Sequence, residues 1–126
     1  MKNSSLKQLD VIAQAIFDKK GFNILALDVR GISTMTDFFV IAEGTVDRHL
    51  KAISQSIVHA LVDDSGDRPL HMEGEQSGDW VVIDYGNIVV HLFIPDIREK
   101  YAIETLWKEG KVVDVDIVVE KPQGKT

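Results

Sequence analysis

Cysteine is absent from the 126 residues of this chain. That absence excludes disulfide frameworks, thiolate zinc sites, iron–sulfur clusters and cysteine nucleophiles together. No run approaches the roughly 18 apolar residues needed to span a bilayer. The opening Met1-Lys2-Asn3-Ser4-Ser5 leads into an amphipathic stretch, with no apolar signal region. The expectation is a cytoplasmic protein with no membrane partner. Basic charge is also short: 14 Lys and Arg face 20 Asp and Glu, a net charge of −6. A protein whose affinity came from neutralising phosphates carries the opposite balance, so little or no direct nucleic-acid specificity is expected. A basic protein surface is the electrostatically natural partner, although the same composition also reads as simple solubility. What remains is 44% hydrophobic and 27% charged. That is enough apolar surface for one α/β domain with a single core and no metal or disulfide staple.

Hydrophobic period assigns the elements. Leu6, Leu9, Ile12, Ala13, Ile16 and Phe17 form a helical stripe over residues 5–20. Ser5 and Gln8 are spaced as a capping box, and Gly21 marks the stop. Leu25, Leu27 and Val29 then alternate as a strand, and Gly31-Ile32-Ser33-Thr34 reads as a turn. Phe38 to Ala42 is a continuous apolar run, the pattern of a strand buried on both faces. Thr45 is the expected cap of a second helix reaching about Asp63, with Leu50, Ile53, Ile57, Val58 and Leu61 inward. Leu70 to Glu73 is a short strand candidate. A third helix is expected from about Asp96 to near Gly110, with Glu99 completing another capping box and Ile97, Tyr101, Leu106 and Trp107 as packing residues. Val112 to Val119 has strand character, and residues 120–126 read as a flexible tail after a domain of residues 1–119. The prediction is a mixed β-sheet of about five strands with helices packed on it.

The segment from Asp79 to Ile94 says most. Two strand-like runs flank Gly86-Asn87, a two-residue hairpin signal. With those residues as the loop, Tyr85 opposes Ile88 and Ile83 opposes Val90. Val81, Ile83, Tyr85, Ile88, Val90 and Leu92 then share the core face. Trp80, Val82, Asp84, Val89, His91 and Phe93 share the other, a mixed aromatic and polar surface. That face is expected to hold Trp80 beside Asp84, and an aromatic anchor beside a carboxylate suits a basic partner: the ring supplies buried area and the acid supplies orientation. The bland alternative is that Trp80 packs under a helix on the second face of the sheet. Tyr85 belongs to the core side by alternation, with its hydroxyl expected to reach solvent at the hairpin end.

Several motifs resemble chemistry and fail on inspection. Gly124-Lys125-Thr126 ends like a phosphate-binding loop, but Val119 stands where the first glycine belongs and no helix follows. His71-Met72-Glu73 matches the H-x-E of nucleobase deaminases, whose two zinc-holding cysteines are missing. His49 and His59 lie about 15 Å apart along one helix, too far to share an ion. Asp114-Val115-Asp116 places two carboxylates on one side of an extended segment, the metal-binding arrangement of nucleotidyltransferases. The glycine-rich turn that would seat a triphosphate does not precede it. No metal and no cofactor are expected, and no enzyme.

One ordered set of residues resembles a known family. Thr36-Asp37-Phe38-Phe39-Val40-Ile41, Gly44, Arg48, Glu73-Gly74, Trp80-Val81-Val82-Ile83-Asp84-Tyr85-Gly86, Val89-Val90-His91-Leu92-Phe93, Arg98, Tyr101 and Leu106-Trp107 are similar to the Iojap family, which includes the bacterial ribosomal silencing factors. The resemblance covers roughly residues 5–117; position 87 is Asn where the family often has Asp. It implies a nucleotidyltransferase-like fold without the catalytic motif. It also implies docking on the large ribosomal subunit through a basic ribosomal protein (number fourteen), blocking the small subunit and lowering translation when nutrients are short. Organellar relatives imply a role in large-subunit assembly, and self-pairing into a homodimer is a further implication. Trp80, Asp84, Tyr85, His91 and Phe93 are the candidate partner-binding residues; a divergent nucleotidyltransferase using Asp114 and Asp116 is the competing reading.

Overall fold

The Tyr85 N–H donates to the Ile88 carbonyl at 2.8 Å across Gly86-Asn87, closing the two-residue hairpin that the sequence predicts. Gly86 takes φ +88°, a left-handed value that glycine adopts without Cβ strain. The computed structural model describes residues 4–74, 78–101 and 110–118. In chain order these form α1 (Ser4–Asp18), β1 (Phe22–Asp28), β2 (Phe38–Glu43), α2 (Asp47–Ser65), β3 (His71–Glu73), β4 (Trp80–Asp84), β5 (Ile88–Phe93), α3 (Pro95–Tyr101) and β6 (Lys111–Val112).

Among the described residues one sheet of six strands runs β3-β4-β5-β2-β1-β6. Only β2 and β5 pair in parallel; the other neighbours are antiparallel. β2 lies at the centre and is buried along its whole length, as its unbroken apolar run requires. Helices α1 and α2 pack on one face. There Leu9, Ile12 and Ile16 of α1 and Leu50, Ile53, Ile57 and Leu61 of α2 meet Val81, Ile83, Ile88, Val90 and Leu92 in one core. Each such side chain contributes about 1.5–3 kcal/mol by leaving water. On the other face Leu27, Val29, Phe39, Ile41 and Phe93 form a second cluster, with Trp80 and Ile97 of α3 packed against it. A buried ion pair fixes α3 there: Arg98 Nη1 donates to Glu43 Oε2 at 2.9 Å and to the Asn23 carbonyl at 2.7 Å. Asn23 Nδ2 donates to the same Glu43 oxygen at 3.1 Å.

Four expectations need correction. The sheet has six strands where about five were expected, because both short candidates, at Leu70–Glu73 and near Val112, pair at its edges. Ser5 and Gln8 form no capping box; α1 starts at Ser4, and both side chains instead accept from Asn87 Nδ2 at 2.9 Å. Across-fold bonds to a fixed turn compete successfully with a local cap. Thr45 is not the cap of α2, which starts at Asp47 with no side-chain cap. The Thr45 N–H donates to His49 Nδ1 at 2.9 Å, and His49 Nε2 donates to the Lys19 carbonyl at 2.7 Å, so this histidine joins α2 to the end of α1. The last strand is shorter than predicted. The Val113 N–H still donates to the Ala26 carbonyl of β1 at 2.9 Å, and beyond it the chain leaves the sheet edge and runs along α1. There Asp10 Oδ1 accepts from the Asp116 N–H at 2.9 Å and Gln14 Oε1 from the Val118 N–H at 2.6 Å. Val113 and Val115 still pack against the core, so the alternation outlasts the strand pairing. The remainder of the third predicted helix, with Leu106 and Trp107, and the tail from Val119 lie outside the described residues, as does the side chain of Tyr101.

Asn87 is held as a donor, and aspartate has no hydrogen to offer in its place. Gln8 cannot simply turn its amide over, because its Nε2 donates to Asp67 Oδ2, which also accepts from Ser65 Oγ at 2.6 Å. Asn87→Asp should lower unfolding free energy by about 1–2 kcal/mol, the cost of a polar contact made repulsive. Urea denaturation at neutral pH measures it, and an unchanged midpoint would mean that the clamp contributes nothing.

Candidate functional site

Strand pairing builds the outer face of the sheet. Trp80 opposes Phe93, Val82 opposes His91, and Asp84 opposes Val89. The parallel register sets Phe39 of β2 against Val89 and Ile41 against His91. Four rings therefore meet. Trp80 and Phe93 lie 5.1 Å apart between centroids, His91 stacks on Phe93 at 5.9 Å, and Phe39 meets His91 edge-on at 4.7 Å. Offset and edge-on geometries like these are the favourable ones for aromatic rings. The Trp80 indole N–H donates to His91 Nδ1 at 3.0 Å. An accepting Nδ1 means a neutral ring with its proton on Nε2. Burial among apolar neighbours agrees, depressing the His91 pKa from the usual 6.5 to about 4.

The five residues singled out from sequence are not one constellation. Trp80, His91 and Phe93 come together, with Trp80 half-buried, His91 buried and Phe93 fully enclosed. Phe93 therefore acts from beneath, by holding the Trp80 ring. Asp84 is on the same face but four residues from Trp80, about 13 Å along the strand, with half-buried Val82 between them. Its Oδ1 accepts from the Gly86 N–H at 2.7 Å and so stiffens the turn. Tyr85 lies on the core face, and its hydroxyl does not reach solvent as expected: it is buried with no hydrogen-bond partner. Desolvation first, and the nearby Asp67 charge second, push its pKa up to about 12. The cause is register, since strand alternation aims this ring at the helices.

Sequence reasoning missed Phe39, because nothing local announces that β2 neighbours β5. It also missed the place of His71 and Glu73. β3 pairs His71 with Asp84 and Glu73 with Val82, and the two exposed side chains bond each other at 2.9 Å on the rim of this face. The surface thus offers an indole edge, the valines 82 and 89 and a carboxylate-bearing border. Among the described residues no group of three His, Asp or Glu side chains is placed to hold a metal ion. Asp114 and Asp116 are exposed on the segment beyond β6, remote from the aromatic face. Such a surface can pack against a partner.

The chain is a small mixed α/β domain with four rings packed together on one face of its sheet. A family model described as "Ribosomal silencing factor during starvation" matches residues 2–126. The ribosomal silencing factor RsfS of Bacillus subtilis is 39% identical over 108 residues, 86% of this chain and 91% of that protein. A crystal structure of a Chromobacterium violaceum protein superposes with a TM-score of 0.76 at 31% identity, covering 97% of this chain and 98% of that one. The mouse protein named "Mitochondrial assembly of ribosomal large subunit protein 1" is 32% identical over 101 residues, 79% of this chain and 44% of its own length. This chain belongs to the ribosomal silencing factor family, which the Iojap resemblance anticipated.

His91 makes stability depend on pH in a calculable direction. Its folded-state pKa of about 4 lies below the unfolded 6.5. The unfolded chain therefore takes up the proton first, and stability falls as pH drops through 6.5 towards 4. Between pH 7.5 and 5 this group alone should remove about 2 kcal/mol. Denaturation at both pH values should show that much more loss in the wild type than in His91→Gln; equal losses would remove His91 as the source.

Proposed function

We propose that this protein docks on the large ribosomal subunit through the outer face of its sheet and there prevents the small subunit from joining, so repressing translation under nutrient limitation. The contact we infer is a basic large-subunit ribosomal protein (number fourteen), and the setting is the cytoplasm. The observation that carries the reading is the exposed border of the aromatic face in a chain of this family: Trp80, Val82 and Val89 framed by Asp84 and Glu73. Half-buried aromatic and aliphatic side chains on a rigid sheet bind without ordering cost, and a carboxylate rim selects a cationic partner. A net charge of −6 works in the same direction at longer range.

Steric exclusion needs no chemistry, and we propose that the protein is not an enzyme. The nucleotidyltransferase reading asks Asp114 and Asp116 to hold a metal on a paired strand. Here they sit on a segment outside the sheet, with the Asp116 backbone tied to Asp10. A second reading, action during large-subunit assembly through the same contact, is favoured by the name of the mouse relative. Precursor large subunits accumulating in a deletion strain would favour assembly, and mature subunits that join faster would favour silencing.

The test is co-sedimentation with purified subunits. Wild-type protein should pellet with large subunits and not with small subunits or joined ribosomes. Binding should weaken as salt screens the acidic rim. Trp80→Ala should weaken it at least about thirtyfold, the effect of removing an interface anchor. Because that change also disturbs His91, Val82→Lys provides the independent check. It leaves the aromatic set in place and turns a half-exposed valine against a cationic partner. Binding unaffected by both substitutions would remove this face from the interface.

A further inference from the structure

The opposite side of the molecule carries a concave surface. Between the outward faces of α1 and α2 lies an open groove of about 510 Å³. Its floor is Val11, Ala15 and Ala60, small or short side chains that leave a trough where the two helices approach. The approach is close: Ser56 Oγ on α2 donates to the Ala15 carbonyl on α1 at 3.2 Å. Its rim is predominantly acidic. Asp10, Asp18, Asp63 and Asp64 line it against Lys7 alone, which pairs with Asp64 at 3.9 Å. Two further depressions of about 490 and 500 Å³ share lining residues with this one at either side, so the concavity extends along the helix pair. α1 has 15 residues, a length of about 22 Å, or four turns of a docked helix.

A trough between two packed helices is where the side-chain ridge of a third helix sits. An apolar floor with carboxylate walls selects one that is apolar on its inner stripe and cationic on its flanks. A second copy of this chain is a poor occupant, because it brings a net charge of −6 to an acidic wall. We propose that the α1–α2 groove is a second docking surface, which takes a basic amphipathic helix of a partner protein. It lies on the far side of the sheet from the aromatic face, so both surfaces can be occupied together.

The probe is a fluorescein-labelled 18-residue helical peptide of leucine, alanine and lysine with a single leucine stripe, titrated with the full chain by anisotropy. Saturable micromolar binding is expected. Asp63→Lys with Asp64→Lys should weaken it at least about tenfold. Both residues are exposed in the last turns of α2, where cations suit the helix dipole, so the fold is retained. Reversing Asp96 and Glu99, which are exposed on α3 across the sheet, should change affinity less than about twofold. A peptide with serine replacing leucine should not bind. The proposal is overturned if no saturable binding occurs, if the control reversal weakens binding as much, or if the serine peptide binds equally. It is also overturned if Lys121→Glu with Lys125→Glu strengthens peptide binding tenfold, which would make the chain's own tail the occupant. A wild-type dimer in sedimentation that dissociates on Asp63→Lys with Asp64→Lys would make it a second copy.

Discussion

The register of the β4–β5 hairpin is the constraint on which the rest of the molecule depends. Side chains on a strand alternate with a period of two, so one residue of slip would exchange the two faces completely. Val81, Ile83, Ile88, Val90 and Leu92 would then face outward, and Trp80, His91 and Phe93 would be pressed against α1 and α2. Gly86-Asn87 prevents this by fixing which residues oppose each other. The turn is held at three points. Asp84 accepts from the Gly86 N–H, Ser5 and Gln8 receive the Asn87 amide, and the Asn87 carbonyl accepts from Asp37 and Phe38. The last contact also sets the start of β2, so the turn positions both neighbours of the central parallel pair.

From that register follows the character of each face. The helical side buries the larger of the two apolar clusters. The other side buries rings beneath and leaves the indole of Trp80 and two valines at the surface. A tryptophan whose N–H is satisfied by His91 keeps one orientation, and a preordered ring loses little entropy when a partner covers it. The histidine serves this purpose only while neutral, and its apolar surroundings keep it so well below neutral pH. Electrostatics and packing therefore act on the same few residues to keep this face stiff.

Much of this was legible in the sequence because it is periodic. The alternation from Trp80 to Phe93, the loop residues and the unbroken run of β2 each state a local geometry, and the structure has all three. Neighbour relations that skip along the chain were not legible. Nothing near Phe39 says that it will touch His91, because that contact needs β2 and β5 side by side in parallel. Ser5 and Gln8 have the spacing of a helix cap, and only the position of Asn87 redirects them. Val113 and Val115 alternate as strand residues do, but beyond Val113 the backbone bonds to side chains of α1 and not to a strand. The separation of Asp84 from Trp80 needed no structure at all: four residues of strand are about 13 Å. For the same reason a carboxylate there borders an anchor without touching it.

The two faces make opposite demands on a ribosome-bound state, and the cysteine-free sequence allows them to be compared cleanly. Single cysteines placed at Val82 on the aromatic face and at Asp63 on the helical face can be labelled with a maleimide, with and without purified large subunits. Docking through the sheet predicts that labelling at position 82 is strongly slowed while position 63 stays open. Protection at position 63 with position 82 still reactive would contradict the account.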